Sequence, residues 1–206
     1  MGRGFEPHGA YQLLWLDSFS FVDCGCNKIM VFPLQTSRVS IKPLGIEDLE
    51  TFVRYRQDPE IARYQSWDTD FSLEQGLELI NSQSGVTFPA QGDWLQLGIT
   101  EVDSGKLIGD LALHAKQDEE DTFEIGFTIA SEHQAKGFGR EAAAKLVEHL
   151  FNDAAAKRLV ASTDRRNIPS IKLLLSLGFD QLPEQTWTEE FKGEFVTIDF
   201  FELNKA

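Results

Sequence analysis

Segment 123–151 strongly limits the possible folds, because its hydrophobic period changes within a few residues. Over residues 123–129, apolar side chains occupy every second position, which predicts a β-strand with one buried face. After a polar stretch, Gly137 and Gly139 lead into apolar residues at three- and four-residue spacing, as on one face of a helix. The segment is therefore predicted to form a strand, a glycine-containing loop and a helix.

A helix that begins after such a loop offers a binding site for an anion. Its first amides have no partners inside the helix, and the helix dipole adds partial positive charge at the same end. Gly137 and Gly139 carry no side chains to hold a phosphate away from these amides, while Lys136 and Arg140 could add charge. Loop 134–139 could therefore wrap a diphosphate. The alternative is a tight turn with no ligand.

Two motifs in the sequence resemble the GNAT superfamily of N-acetyltransferases. The first is QxxGxG at 134–139, after a strand that contains EIGF at 124–127, and it looks like the family's acyl-CoA signature. The second is NxxS at 167–170 with LGF at 177–179, which is similar to the family's Asn-x-x-Ser helix and Leu-Gly-Phe ending. From about residue 39 to residue 203, the chain resembles the ribosomal-protein, RimJ/RimL-type branch.

The resemblance implies an α/β (α+β) fold. This fold has a mixed, mostly antiparallel sheet flanked by helices, with a parallel strand pair around the central CoA-binding helix. Alternating patterns agree with it and predict one hairpin over residues 94–114 and a closing, aromatic hairpin over residues 187–203. Residues 36–206 are expected to form a single domain after an N-terminal extension, residues 1–35. Because Met30 stands just before the resemblance begins, the first 29 residues are hypothesised to be an extension or an upstream start.

The resemblance also implies roles for individual residues. Glu124 matches the catalytic glutamate of some relatives and would take a proton from the acceptor amine, directly or through water. The alternative is a surface or salt-bridged carboxylate. Ser170 would face the CoA sulfur and protonate the departing thiolate, although many relatives use tyrosine, and Asn167 would bond the pantetheine arm. Both residues could instead satisfy the backbone at the start of a helix.

The implied acetyl-CoA site combines backbone groups of the central strand with the glycine loop. Its predicted residues are Phe127, Thr128, Ile129, Gln134, Ala135, Lys136, Gly137, Phe138, Gly139, Arg140 and Asn167. Tyr64 and Trp67 border the acceptor pocket in the resembled family, whereas the alternative for the tryptophan is core packing. The helix after them is predicted to be capped by Ser72 and to bury Leu73, Leu77 and Ile80.

Composition narrows the choice of partners. The formal net charge of −14 argues against a nucleic-acid backbone binder and suits a cationic partner such as an amine, or it simply supports solubility.

The four histidines lack paired ligand spacing, so no metal is predicted. The sequence contains no run of eighteen or more apolar residues, so no membrane helix is predicted. Cys24 and Cys26 are too close for an ordinary disulfide, which fits a reducing, cytoplasmic location.

The resemblance therefore implies an acetyl-CoA-dependent N-acetyltransferase that acts on a primary amine. A protein N-terminal amine is the first choice of acceptor, and an aminoglycoside, a polyamine or another small amine is the alternative. The alternative outside the enzymes is a module that binds acyl-CoA without turnover. The presence of Glu124, Asn167 and Ser170 favours the enzyme. The chain is expected to be a monomer, or a homodimer formed through its aromatic C-terminal hairpin.

Overall fold

The computed structural model describes residues 30–205. The strands are β1 (Leu34–Gln35), β2 (Val39–Pro43), β3 (Trp94–Glu101), β4 (Leu107–Ala115), β5 (Thr122–Ile129), β6 (Arg158–Asp164), β7 (Asp180–Gln181), β8 (Trp187–Phe191) and β9 (Glu194–Asn204). The helices are α1 (Leu49–Arg56), α2 (Pro59–Ala62), α3 (Leu73–Ser82), α4 (Phe138–Asn152) and α5 (Ile168–Ser176). None of these helices combines the length and apolar character that a bilayer-spanning helix needs.

The described strands join one sheet in the order β1–β2–β3–β4–β5–β6–β9–β7, and β8 pairs with β9. Neighbouring strands run antiparallel except β5 and β6, which are parallel. A parallel pair needs a long crossover connection, and α4 supplies it. The predicted mixed sheet, with one parallel pair around the central helix, is confirmed.

The parallel strands β5 and β6 separate partway along their length. Their pairing covers only residues 122–124 of β5 and residues 158–160 of β6. Beyond that point β5 pairs only with β4, while β6 pairs only with β9. One backbone edge of β5 therefore faces an opening, called here the β5–β6 gap, at the end of the sheet where α4 and α5 begin.

The core lies on both faces of the sheet. On one face, α4 buries a row of side chains against the strands, namely Ala142, Ala143, Leu146 and Leu150. On the other face, α1 contacts β4 through the hydrogen bond from the Tyr55 hydroxyl to Asp110. Asp110 is adjacent to Leu111 of the α4 core, and successive side chains of a strand point to opposite faces. The two helices thus cover opposite sides of β4.

The prediction for α3 is confirmed at its start and for the buried Ile80, but it is wrong for Leu73 and Leu77. Ser72 and Gln75 form the expected capping box, with Ser72 accepting a hydrogen bond from the Gln75 amide at 3.2 Å. Leu73 and Leu77, however, are 54% and 36% exposed. The buried side instead contains Gly76, where a Cβ would lie 2.7 Å from Val53 and 2.8 Å from Leu49 of α1. The close approach of two helices, which needs a residue without a side chain, therefore decides which face is buried.

The first described residues already belong to the packed domain. Met30 and Leu34 are buried in the α4 core, and β1 pairs with β2. Both residues come before the predicted domain start at residue 36, so the packed structure begins earlier than the family resemblance. The hypothesis about residues 1–29 and the two cysteines lies outside the described residues.

Candidate active site

The glycine loop, residues 134–139, presents unpaired backbone donors at the start of α4. Ala135 and Gly137 both have positive φ angles, 59° and 84°, and Gly137 is the N-cap residue of the helix. This backbone shape turns successive amides toward one side, which is the geometry of an anion-binding nest. The amides of residues 135–140 donate to no acceptor within the described part of the chain. They are therefore free to bind a diphosphate, and the predicted loop residues fit that group.

Side chains from other elements hold the glycine loop in place. Gln134 Nε2 donates to the Ile129 carbonyl at 2.9 Å, and so connects the loop to the end of β5. Arg38 Nη1 donates to the Lys136 carbonyl at 3.1 Å, and the same guanidinium pairs with Glu141 of α4. Arg38 lies nearly a hundred residues earlier in the chain and was not predicted from the sequence. Because of these contacts the loop is preorganised, which reduces the entropic cost of binding.

Gly139 and Arg140 link the start of α4 to its neighbours. A Cβ at Gly139 would lie 3.1 Å from Ile129 and 3.3 Å from Leu173, so the helix starts in close contact with β5 and α5. Arg140 Nε donates to the Ser176 hydroxyl at 3.2 Å, at the far end of α5. Lys136 is exposed at the edge of the loop. The two predicted cations thus differ: Arg140 is held by α5, whereas Lys136 points outward.

Glu124 is the last β5 residue paired with β6 and lies where the β5–β6 gap opens. Its side chain is 16% exposed. One carboxylate oxygen, Oε2, lies 3.5 Å from Lys116 Nζ and 3.7 Å from His114 Nδ1. The other oxygen, Oε1, accepts a hydrogen bond from the Ser162 hydroxyl at 3.3 Å. The structure therefore places a largely buried carboxylate among polar groups of β4 and β6.

The surroundings of Glu124 favour its ionised form. Burial alone raises the pKa of the Glu124 carboxyl, but the imidazole of His114 and the charge of Lys116 outweigh burial and lower this pKa below its ordinary value. The carboxylate is thus available as a proton acceptor at neutral pH. The hairpin register found here, which sets His114 opposite Glu124, is the signal that could have revealed this partner in the sequence.

Asn167 and Ser170 lie at the start of α5, at the same end of the sheet as the glycine loop. Asn167 is the N-cap residue, and its side-chain oxygen accepts a hydrogen bond from the Ser170 amide at 3.3 Å. The Ser170 hydroxyl is half-buried and makes no hydrogen bond with residues 30–205. The local capping role of Asn167 is therefore present, and its side-chain NH₂ group remains available as a donor.

The two aromatic residues predicted for the acceptor pocket occupy different environments. The Tyr64 hydroxyl lies 3.5 Å from the Arg166 carbonyl, so this ring reaches the turn that precedes α5. Trp67 donates through Nε1 to the Arg56 carbonyl at 3.1 Å, and the Arg56 guanidinium lies 3.7 Å from the centre of its ring. Trp67 thus packs mainly on α1, while Tyr64 approaches the end of the sheet that carries the site.

The C-terminal hairpin is fastened to the segment between α2 and α3. Lys192, in the turn between β8 and β9, donates to the carbonyls of Ala62 and Trp67 at 2.9 and 2.5 Å. Its ammonium group also pairs with Asp68 at 2.9 Å. We refer to these contacts of Lys192 as the hairpin clamp. They connect residues more than a hundred positions apart and were not predicted from the sequence.

Potential metal ligands are not clustered near these residues. Within residues 30–205, no group of three or more His, Cys, Asp or Glu side chains has an arrangement that could hold a metal ion.

Comparison with known proteins extends the likeness to most of the chain. The family model described as the acetyltransferase (GNAT) domain matches residues 38–180. The uncharacterized N-acetyltransferase p20 of Bacillus licheniformis is 28% identical over 172 residues, which cover 84% of this chain and 96% of that protein.

Solved structures show the same fold. The spermidine N-acetyltransferase of Vibrio cholerae, in complex with CoA and spermine, has a TM-score of 0.70 and 19% identity, and the match covers 82% of this chain and 96% of that one. The ribosomal L7/L12 alpha-N-protein acetyltransferase RimL, in complex with coenzyme A, also has a TM-score of 0.70, with 12% identity over 82% of this chain and 95% of its own. Because the two structures have the same TM-score, the fold does not favour one of them, and the RimJ/RimL branch stays a prediction. The chain itself belongs to the GNAT acetyltransferase family and is an N-acetyltransferase.

Proposed function

We propose that this protein transfers the acetyl group of acetyl-CoA to a protein N-terminal amine, with Glu124 as the base. The observation that carries the proposal is the position of the Glu124 carboxylate, which is ionised and lies where β5 and β6 separate. The glycine loop, the β5 edge and the start of α5 all lie at that end of the sheet. A carboxylate, a loop with unpaired backbone amides and a hydroxyl-bearing helix start thus lie at one end of the sheet, which supports the proposal.

The binding of acetyl-CoA would use mainly backbone groups. The amides of residues 135–140 would hold the diphosphate, and the free edge of β5 at Phe127, Thr128 and Ile129 would bond the pantetheine arm as an added strand would. The Asn167 side-chain NH₂ group would donate to the same arm. Acetyl-CoA supplies the activated acyl group, and the chain's own residues orient it.

The reaction needs one proton acceptor and one proton donor. Glu124 would take a proton from the ammonium form of the acceptor, directly or through water, and the neutral amine would then attack the thioester carbonyl. A backbone amide of residues 127–129 would stabilise the developing oxyanion. As the carbon–sulfur bond breaks, the Ser170 hydroxyl would donate a proton to the thiolate and regain one from the nitrogen, which loses its second proton as the amide forms. The proton that Glu124 took first would finally pass to water. The products are an amide and free CoA.

The choice of acceptor rests on the resemblance of the sequence to the RimJ/RimL-type branch and on the shared fold of RimL, the ribosomal L7/L12 alpha-N-protein acetyltransferase. A polyamine is the second candidate, because the formal net charge of −14 would attract a polycation and a spermidine N-acetyltransferase shares the fold. Tyr64, at the edge of the site, and Trp67 are the proposed acceptor-contacting side chains.

Thiol release from acetyl-CoA by the purified protein tests the choice of acceptor. The acceptors would be N-terminal peptides of ribosomal proteins, the same peptides with blocked α-amines, polyamines and aminoglycosides. We expect release with free N-terminal peptides and none with the blocked ones. Release with polyamines alone would replace the proposed acceptor by the second candidate, and CoA binding without release from any amine would favour a binding module.

A further inference from the structure

The imidazole of His114 is held in a fixed orientation beside Glu124. Its Nε2 lies 3.2 Å from the Gly92 carbonyl oxygen. A carbonyl oxygen can only accept, so Nε2 carries the hydrogen of this bond. The ring also stacks on Trp94, with centroids 4.5 Å apart and an angle of 8° between the planes. The other ring nitrogen, Nδ1, is therefore directed by contacts that do not involve Glu124.

Nδ1 of His114 faces the carboxylate without a hydrogen bond. This atom is buried and has no hydrogen-bond partner among residues 30–205, and it lies 3.7 Å from Glu124 Oε2. In a neutral ring with its hydrogen on Nε2, Nδ1 carries a lone pair. A lone pair facing a carboxylate oxygen is unfavourable unless a proton lies between the two atoms. The two atoms could share one proton after a side-chain shift that closes the 3.7 Å gap to hydrogen-bond distance.

From this geometry we infer that His114 is a positioning residue for Glu124 and accepts, at Nδ1, the proton that Glu124 takes from the acceptor amine. The inference rests on the proposed role of Glu124 as the base. The acceptor ammonium would lose one proton to Glu124 Oε2, and the same proton would pass to His114 Nδ1. Glu124 would then be a carboxylate again, paired with an imidazolium.

Groups from the neighbouring elements suit this exchange. Lys116, after β4, lies 3.5 Å from Glu124 Oε2 and supplies the positive charge that favours the carboxylate before the reaction. Ser162 of β6 and Trp94 of β3 face the pair as uncharged groups. Within the described residues, Lys116 is thus the charged side chain in contact with the pair. Its effect on Glu124 would persist when His114 is replaced.

The variant His114→Gln tests the inference, because a glutamine amide can still donate to the Gly92 carbonyl but offers nothing at the Nδ1 position. We expect kcat to fall about tenfold, with the KM for acetyl-CoA unchanged, since only the base is affected. Because the variant removes the second site for the shared proton, the acid limb of the kcat/KM profile should also move to lower pH. Thermal unfolding would verify that the variant is folded.

A double-mutant cycle separates this inference from the proposed function. If His114 acts through Glu124, His114→Gln should have no further effect in a Glu124→Gln background. The control is His149→Gln, which removes an imidazole that pairs with Asp153 on α4 at 2.7 Å and should leave the pH profile unchanged. An equal loss of rate in both backgrounds, or an unmoved acid limb, would overturn the inference alone. An unchanged rate for Glu124→Gln would overturn the base assignment, and the inference with it.

Discussion

At the scale of single residues, the two glycines of the loop have different functions. Gly137 adopts a φ of 84°, which a residue with a Cβ adopts only at an energetic cost, and it directs the amides at the helix start. Gly139 allows close packing, because a Cβ there would press on Ile129 and Leu173. Both glycines belong to one sequence motif, but only Gly137 shapes the backbone of the proposed ligand site.

The variant Gly137→Val should weaken CoA binding at least tenfold, an order-of-magnitude expectation for blocking donors to a diphosphate. The matched control is Gly85→Val, because Gly85 has a φ of 78° and open space around it. Both variants should lose about 1–2 kcal/mol of unfolding free energy from backbone strain. Calorimetric titration with CoA should show weaker binding for Gly137→Val only. Equal CoA affinities in the two folded variants would contradict the role of the loop.

At the scale of elements, the start of α5 combines a structural role with a proposed binding role. Asn167 caps the helix through its side-chain oxygen, and its NH₂ group is proposed to bond the pantetheine arm. Because the two roles use different atoms of one side chain, a substitution can separate them.

The variant Asn167→Asp keeps the capping oxygen and removes the NH₂ donor. We expect its unfolding free energy to stay close to that of the wild type, while the KM for acetyl-CoA rises about fivefold for one lost hydrogen bond. Asn167→Ala should show the same rise and, in addition, lose about 1 kcal/mol of stability in urea unfolding. If Asn167→Asp leaves the KM for acetyl-CoA unchanged, the residue is a helix cap and nothing more.

The hairpin clamp also joins separate elements, because it fixes the segment that carries the proposed acceptor-contacting residues. Replacing Lys192 by Met would release the β8–β9 turn from Ala62, Trp67 and Asp68. We expect the KM for the amine acceptor to rise several-fold, with the KM for acetyl-CoA unaffected, because the segment between α2 and α3 carries Tyr64 and Trp67. Steady-state kinetics with each substrate varied in turn provides the measurement.

A matched control for this variant is Lys157→Met, which removes an ion pair of similar length, 3.0 Å to Asp121, away from that segment. Its kinetics should match those of the wild type. The clamp has no role in acceptor binding if Lys192→Met and Lys157→Met give the same KM for the amine.

At the scale of the whole molecule, local periodicity predicted most of the fold. The alternating strand 123–129, the capping box at Ser72 and the turn before β9 depend on residues close in sequence, and the structure contains all three. Contacts between distant segments were not predictable in this way. The buried face of α3 depends on the fit of Gly76 against α1, and the clamp joins Lys192 to Ala62, 130 positions away.

In the candidate site, too, local features were predictable from the sequence and contacts between distant segments were not. The glycine loop and the cap at Asn167 could be read from their motifs, since each is a local structure with a local sequence pattern. The environment of Glu124 could be predicted only in part: the hairpin register sets His114 opposite it, whereas Lys116 and Ser162 reach it from the segment after β4 and from β6. The effect of His114 and Lys116 on the Glu124 pKa depends on strand register and burial, which emerge only when the sheet is assembled.

We propose that the assembled sheet presents Glu124 as a base to an amine beside bound acetyl-CoA. Single-turnover acetyl transfer by the wild type and by Glu124→Gln, both saturated with acetyl-CoA and with the amine found in the acceptor panel, tests it most directly. We expect Glu124→Gln to transfer acetyl at least a hundredfold more slowly, about the loss expected for a general base, while its CoA affinity is unchanged. Equal single-turnover rates in the two proteins would contradict it.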